Sequence, residues 1–142
     1  MNNPKTLISA ETLVNAPMEK VWESWTRPQH MAKWNNASED WHTPQAENDL
    51  RVGGRLFLRM ETKDGSTGFD HEAIYDDIVT NSKISYTTTD GRTSTILFEQ
   101  TGPAIKITEI FEPVSEHPAE LQRSFCQAIL DNFKTYTEGL TS

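Results

Sequence analysis

From residue 56 to 111 apolar side chains recur at every second position, and from 118 to 139 they recur at every third or fourth. That change of period restricts the chain to a sheet of several strands followed by one long helix, because side chains alternate across a strand and share one face of a helix about every 3.6 residues. The alternating set runs Leu56, Leu58 and Met60, then Phe69, His71, Ala73 and Tyr75, then Ile84 and Tyr86. It continues through Ser94, Ile96 and Phe98 to Ile105, Ile107, Glu109 and Phe111. Asp64-Gly65, Asn81-Ser82, Asp90-Gly91 and Thr101-Gly102-Pro103 fall between these runs. Asp-Gly is favoured where both turn residues need positive φ, so successive strands are expected to form antiparallel hairpins. The helical stripe comprises Leu121, Phe125, Ala128, Ile129, Phe133, Tyr136 and Leu140, with Gly139 placed to end the helix.

Ahead of the sheet, Thr6 to Asn15 mixes Leu7, Leu13 and Val14 with Ser and Thr and reads as a first strand of imperfect alternation. Ala16-Pro17-Met18-Glu19 then places a proline and an acid at a helix start, and Met18, Val21, Trp22 and Trp25 follow at helical spacing. Arg27-Pro28 stops that helix and opens a shorter one carrying Met31 and Trp34. Residues 35–54 are polar and read as a short strand and a long ordered loop, closed by the turn at Gly53-Gly54.

Strand, two short helices, six strands and a long helix make an α+β plan in which a twisted sheet buries its inner face under the last helix. A curved sheet cannot close tightly on a straight cylinder. An apolar pocket is therefore expected between them, lined by Met60, Phe69, His71, Tyr75, Tyr86, Ile96, Phe125, Ile129 and Phe133. Trp22, Trp25 and Trp34 are assigned to core packing near one end of it. A chain of 142 residues fits one domain over 1–142, and its four Trp, six Phe and three Tyr supply much of the burial. The net charge of −8, without any cluster of Lys and Arg, opposes nucleic acid and anionic membrane surfaces. Cys126 is the single cysteine, which precludes an intramolecular disulfide and fits a reducing compartment. Residues 1–5 lack the apolar run of a signal peptide, and no stretch reaches the roughly 20 apolar residues of a membrane span, so the cytoplasm is the expected location.

Val14-Asn15-Ala16-Pro17, leading into Val21-Trp22-Glu23-Ser24-Trp25-Thr26 and then Pro28-Gln29-His30-Met31 to Trp34, resembles the opening of the SRPBCC or START-like superfamily. Trp41-His42-Thr43-Pro44, the run from Ala46 to Gly54, Met60-Glu61, Lys63-Asp64-Gly65-Ser66 and the run from Gln127 to Phe133 are similar to one bacterial subgroup in particular. That subgroup comprises the homologues of the activator of the heat-shock-protein ATPase (AHSA1-like), and the likeness covers nearly the whole chain. It implies the helix-grip (START/Bet v 1-like) fold and a cavity for hydrophobic small molecules. Members of the superfamily bind lipids, sterols or plant phenolics, and others cyclise polyketides; the fold alone does not choose among these.

His71 and Glu109 are the polar members of the inward set. His71 is suited to hydrogen-bond a ligand carbonyl or phenol, against the alternative of a core histidine tied to a neighbour. Glu109, a carboxyl in an apolar pocket, needs a partner or a proton: it orients a ligand hydroxyl, serves as a general base, or pairs with an Arg or Tyr. Two strands separate the pair in meander order, so no dyad is expected. Trp41 and His42 read as a loop anchor and a solvent-facing side chain, with covering of the cavity mouth as the alternative, and Asp49 and Arg51 as an ion pair that fixes the loop. The four histidines, at 30, 42, 71 and 117, form no metal-binding spacing, and no phosphate loop or nucleophile elbow occurs, so neither metal nor cofactor is expected. Cys126 reads as a small packing residue. The expected function is binding of a small lipid-like or aromatic molecule without catalysis. The rivals are a cyclase or hydrolase acting on an aromatic or polyketide-like substrate, and a chaperone-linked protein whose acidic surface meets a basic partner.

Overall fold

The computed structural model describes residues 7–36, 38–114 and 117–140. β1 (Ile8–Val14) is followed by α1 (Met18–Thr26) and α2 (Pro28–Trp34). Six strands come next: β2 (Trp41–Asn48), β3 (Arg55–Thr62), β4 (Gly68–Val79), β5 (Lys83–Thr88), β6 (Thr93–Thr101) and β7 (Ala104–Phe111). The long helix α3 (Ala119–Gly139) closes the order. All seven strands form one antiparallel sheet in the order β1-β7-β6-β5-β4-β3-β2. The sheet curls into a half-barrel that holds α3, which is the helix-grip fold. No helix among the described residues is long and apolar enough to cross a membrane.

The two edge strands are covered by helices, which is how the sheet avoids presenting unpaired backbone. At the β1 edge, α3 donates from Gln127 to the Glu11 carbonyl (3.0 Å) and from Lys134 to the Leu13 carbonyl (2.8 Å), and Glu138 accepts from the Asn15 amide (2.8 Å). At the β2 edge, Thr43 donates to the Asn35 carbonyl at the end of α2 (2.6 Å) and Asn48 to the Thr26 carbonyl at the end of α1 (2.6 Å). Asn132 of α3 also donates to Asn36, joining the two helical covers.

The structure corrects four details of the sequence reading. Residues 41–48 are a full strand, not part of a long loop; Pro44 is accommodated because β2 is an edge strand with a register irregularity between His42 and Gln45. Its outward half faces solvent, which explains the polar composition. At Asp64-Gly65 and Asp90-Gly91 only the glycines take positive φ, +77° and +89°. Each Asp instead accepts hydrogen bonds within its own turn, from Ser66 and Thr62 in one case and from Thr88 and Arg92 in the other, which makes loops longer than a two-residue hairpin. The first strand alternates perfectly from Ile8 to Val14, with Leu7 and Leu13 on the outside; its expected start at Thr6 lies outside the described residues. Lastly, α3 is rolled relative to its apolar stripe. Cys126, Leu130, Phe133 and Thr137 form the buried seam, whereas Leu121, at 58% exposure, lies outside it.

Candidate functional site

The inward register expected from the sequence holds across the sheet. Cross-strand pairing sets out rows on the inner face: Ala10, Glu109, Ile96 and Ile84 in one, and Phe111, Ser94, Tyr86 and Tyr75 in the next. Leu56 pairs with Ala73, Leu58 with His71 and Met60 with Phe69 beyond them. α3 spans this concave face, and between helix and sheet lies a cavity of about 570 Å³. That volume is within the range of about 300–1,000 Å³ usual for small-molecule sites.

One end of the cavity is closed by an aromatic cluster. Trp25 packs against Trp34 (ring centroids 4.7 Å apart), and Phe133 meets both edge to face at 4.9 Å. Phe98 extends the cluster to Trp22 at 5.2 Å, and the Trp34 indole donates to the Ser24 carbonyl (2.8 Å). Trp25 and Trp34 thus serve both the core and the cavity end. Phe133, expected as a lining residue, is instead fully buried behind them and does not reach the void, because the roll of α3 turns it into the seam. The other nine residues named from the sequence, Met60, Phe69, His71, Tyr75, Tyr86, Ile96, Glu109, Phe125 and Ile129, all line it. Phe69 and Phe125 stand half exposed at its mouth. Gln122 ties the chain entering α3 across that mouth, accepting from the Val114 amide and donating to the carbonyls of Val114 and His117 (each 2.9 Å).

Glu109 is the acid of the cavity wall. Its carboxyl lies beside the Cys126 thiol of α3, and burial holds its pKa up at about 7, the thiol only partly offsetting that rise. Burial and the nearby Glu109 likewise push the Cys126 thiol up, so it is a donor and not a nucleophile. Tyr86 stands opposite Ser94 across the β5–β6 pair; burial first, and then the charge of Glu109, keep its phenol protonated. His71 lies edge to face with Tyr86 at 5.7 Å. Burial, reinforced by Arg92 and partly offset by Asp90, lowers its imidazole to about 4, so the ring is neutral at neutral pH. His71 and Glu109 share the cavity without acting on one another. Tyr75 turns its hydroxyl away from this group, donating to Asn48 (2.5 Å). Outside the cavity, Trp41 lies 6.0 Å from Phe69 on the strand that replaced the expected loop, and Arg51 pairs with Asp49 at 2.9 Å.

Four contributors escaped the sequence reading. Cys126 had no adjacent motif, and only the roll of α3 brings it to Glu109. Arg92 and Gln122 are polar residues of a turn and a helix start, and nothing in their local sequence places them at a cavity mouth. Ser94, although in the inward set, carried no signal of its contact with Tyr86.

Glu109 and His71 leave opposite marks on pH-dependent stability. A carboxyl raised from about 4.5 to about 7 contributes stability at low pH that is lost as pH rises through about 7. A histidine lowered from 6.5 to about 4 costs stability as pH falls through that window. The two offset each other in the native protein. Glu109→Gln should expose the difference: between about pH 4.5 and 8, its stability relative to the native protein should rise by roughly 2–3 kcal/mol, read by urea unfolding at each pH.

The profile of the Activator of Hsp90 ATPase homolog 1-like protein family matches residues 15–138. The chain belongs to this family. Among solved structures it is similar to the AHSA1-like protein from Aeromonas hydrophila, at 36% identity over 96% of this chain and 94% of that one, with a TM-score of 0.89. A protein from Cytophaga hutchinsonii is 47% identical over 94% and 93% of the two chains, with a TM-score of 0.81. A protein from Chromobacterium violaceum shares the fold at 21% identity, with a TM-score of 0.83 over 93% and 96%. No curated protein matches the chain. AHSA1-like proteins belong to the SRPBCC superfamily, whose START-type fold typically binds hydrophobic ligands.

Proposed function

We propose that this AHSA1-like chain acts as one domain over residues 1–142 that binds a small, largely apolar molecule between α3 and the sheet, without catalysing its conversion. The observation that carries this reading is the cavity of about 570 Å³, whose walls are mostly apolar and aromatic, with Glu109 and His71 among the polar groups that interrupt them. Apolar surface supplies affinity there, and the few polar groups fix orientation. The test is to release and identify small molecules from natively purified protein by mass spectrometry, with Ile129→Trp as the cavity-filled control. A compound enriched in the native protein and missing from the variant supports the reading and names the ligand class. An empty result in both would move the reading towards a protein partner.

Glu109 also supports a second reading. A buried carboxyl held at about 7 is matched to proton transfer at neutral pH, as a hydrolase or cyclase of aromatic substrates would need. Turnover that survives both Glu109→Gln and His71→Ala would eliminate it.

A further inference from the structure

The polar end of the cavity is asymmetric in charge. Glu109 is brought to the inner face by the β7 register, opposite Ile96 of β6 and Ala10 of β1, so its immediate strand neighbours are apolar. The groups beside it are neutral: the Cys126 thiol from α3 and the Tyr86 hydroxyl from β5. No Lys or Arg forms an ion pair with Glu109 among the described residues. Arg92, the cation of the lining, is held at the mouth by Asp90 (2.8 Å) and the Glu112 carbonyl (3.5 Å). His71 and His117 are the other basic groups of the lining, and the buried His71 ring is neutral.

An acid enclosed by apolar walls has two stable conditions. It keeps its proton, or it meets a cation that enters with the ligand. A ligand amine meets the second condition completely, since it brings both the countercharge and N–H donors to an oxygen pair whose neighbours are neutral. The net charge of −8 draws cations towards the mouth while repelling acids. Building on the binding reading above, we propose that the ligand is a hydrophobic amine, with an apolar body along the cavity and one ammonium group seated against the Glu109 carboxylate.

Three probes of one shape test this by calorimetry: naphthylethylamine, naphthylethanol and naphthylacetate. The amine should bind on the order of tenfold or more tightly than the alcohol, and the acid most weakly. In Glu109→Gln, which preserves shape but removes the charge, the advantage of the amine over the alcohol should vanish. In the native protein the amine should also weaken about tenfold per unit as pH falls below about 7, because the Glu109 proton must leave first, while the alcohol stays level. An alcohol that binds as tightly as the amine, or an amine whose advantage survives Glu109→Gln, overturns the proposal and leaves the apolar binding reading standing. Absence of binding by all three overturns both.

Discussion

Phe133→Ala should lower the unfolding free energy by about 3–5 kcal/mol, which urea or thermal unfolding will read directly. Phe133 is fully buried, and its ring supports the edges of both Trp25 and Trp34 at 4.9 Å. Truncation therefore removes buried apolar area and also leaves a hole under the two indoles that close the cavity end. The near-ultraviolet circular dichroism of the tryptophans should weaken with it. A loss under about 1 kcal/mol would mean that the cluster relaxes freely and is not the rigid end of the site.

Ile129→Trp should have the opposite profile, with a large effect on binding and a small one on stability. Ile129 lies one helical turn from Phe133 on α3, yet it faces the void and not the seam. An indole at that position projects into unfilled space, so stability should change by no more than about 1 kcal/mol. Affinity for an apolar probe should fall by at least about a hundredfold, because the ligand and the indole claim the same volume. Retention of native affinity by a folded Ile129→Trp protein would place the binding site elsewhere.

The contrast between these neighbouring positions shows what the sequence conveys and what it withholds. Alternation from Leu56 to Phe111 identified the concave wall residue by residue, since a strand with one buried face leaves no freedom in which side chains point inward. The helix was legible as a helix but not in its roll. Leu121 and Phe125 look like core residues by composition, but they stand over the mouth of a cavity and keep part of their surface exposed. Cys126 and Thr137 look indifferent and are buried in the seam. A void has no signature in hydrophobic periodicity, because a residue facing empty space and one facing a neighbour are chosen from the same amino acids. Glu109 was readable as an inward acid. Its place beside Cys126 is set by how α3 lies over β7, and no spacing within either element specifies it. β2 was hidden by Pro44 and by the polar outer half of an edge strand.

The central claim is that the space between α3 and the sheet is open to a small apolar molecule. Titration of isotope-labelled protein with naphthylethanol, followed by intermolecular nuclear Overhauser contacts to methyl groups, tests it most directly. The account predicts contacts from the naphthyl protons to the methyls of Leu58, Ile96 and Ile129, which line the void from the sheet and from the helix. Contacts confined to outward methyls such as those of Leu13 and Val79, with none to the three lining residues, would contradict it.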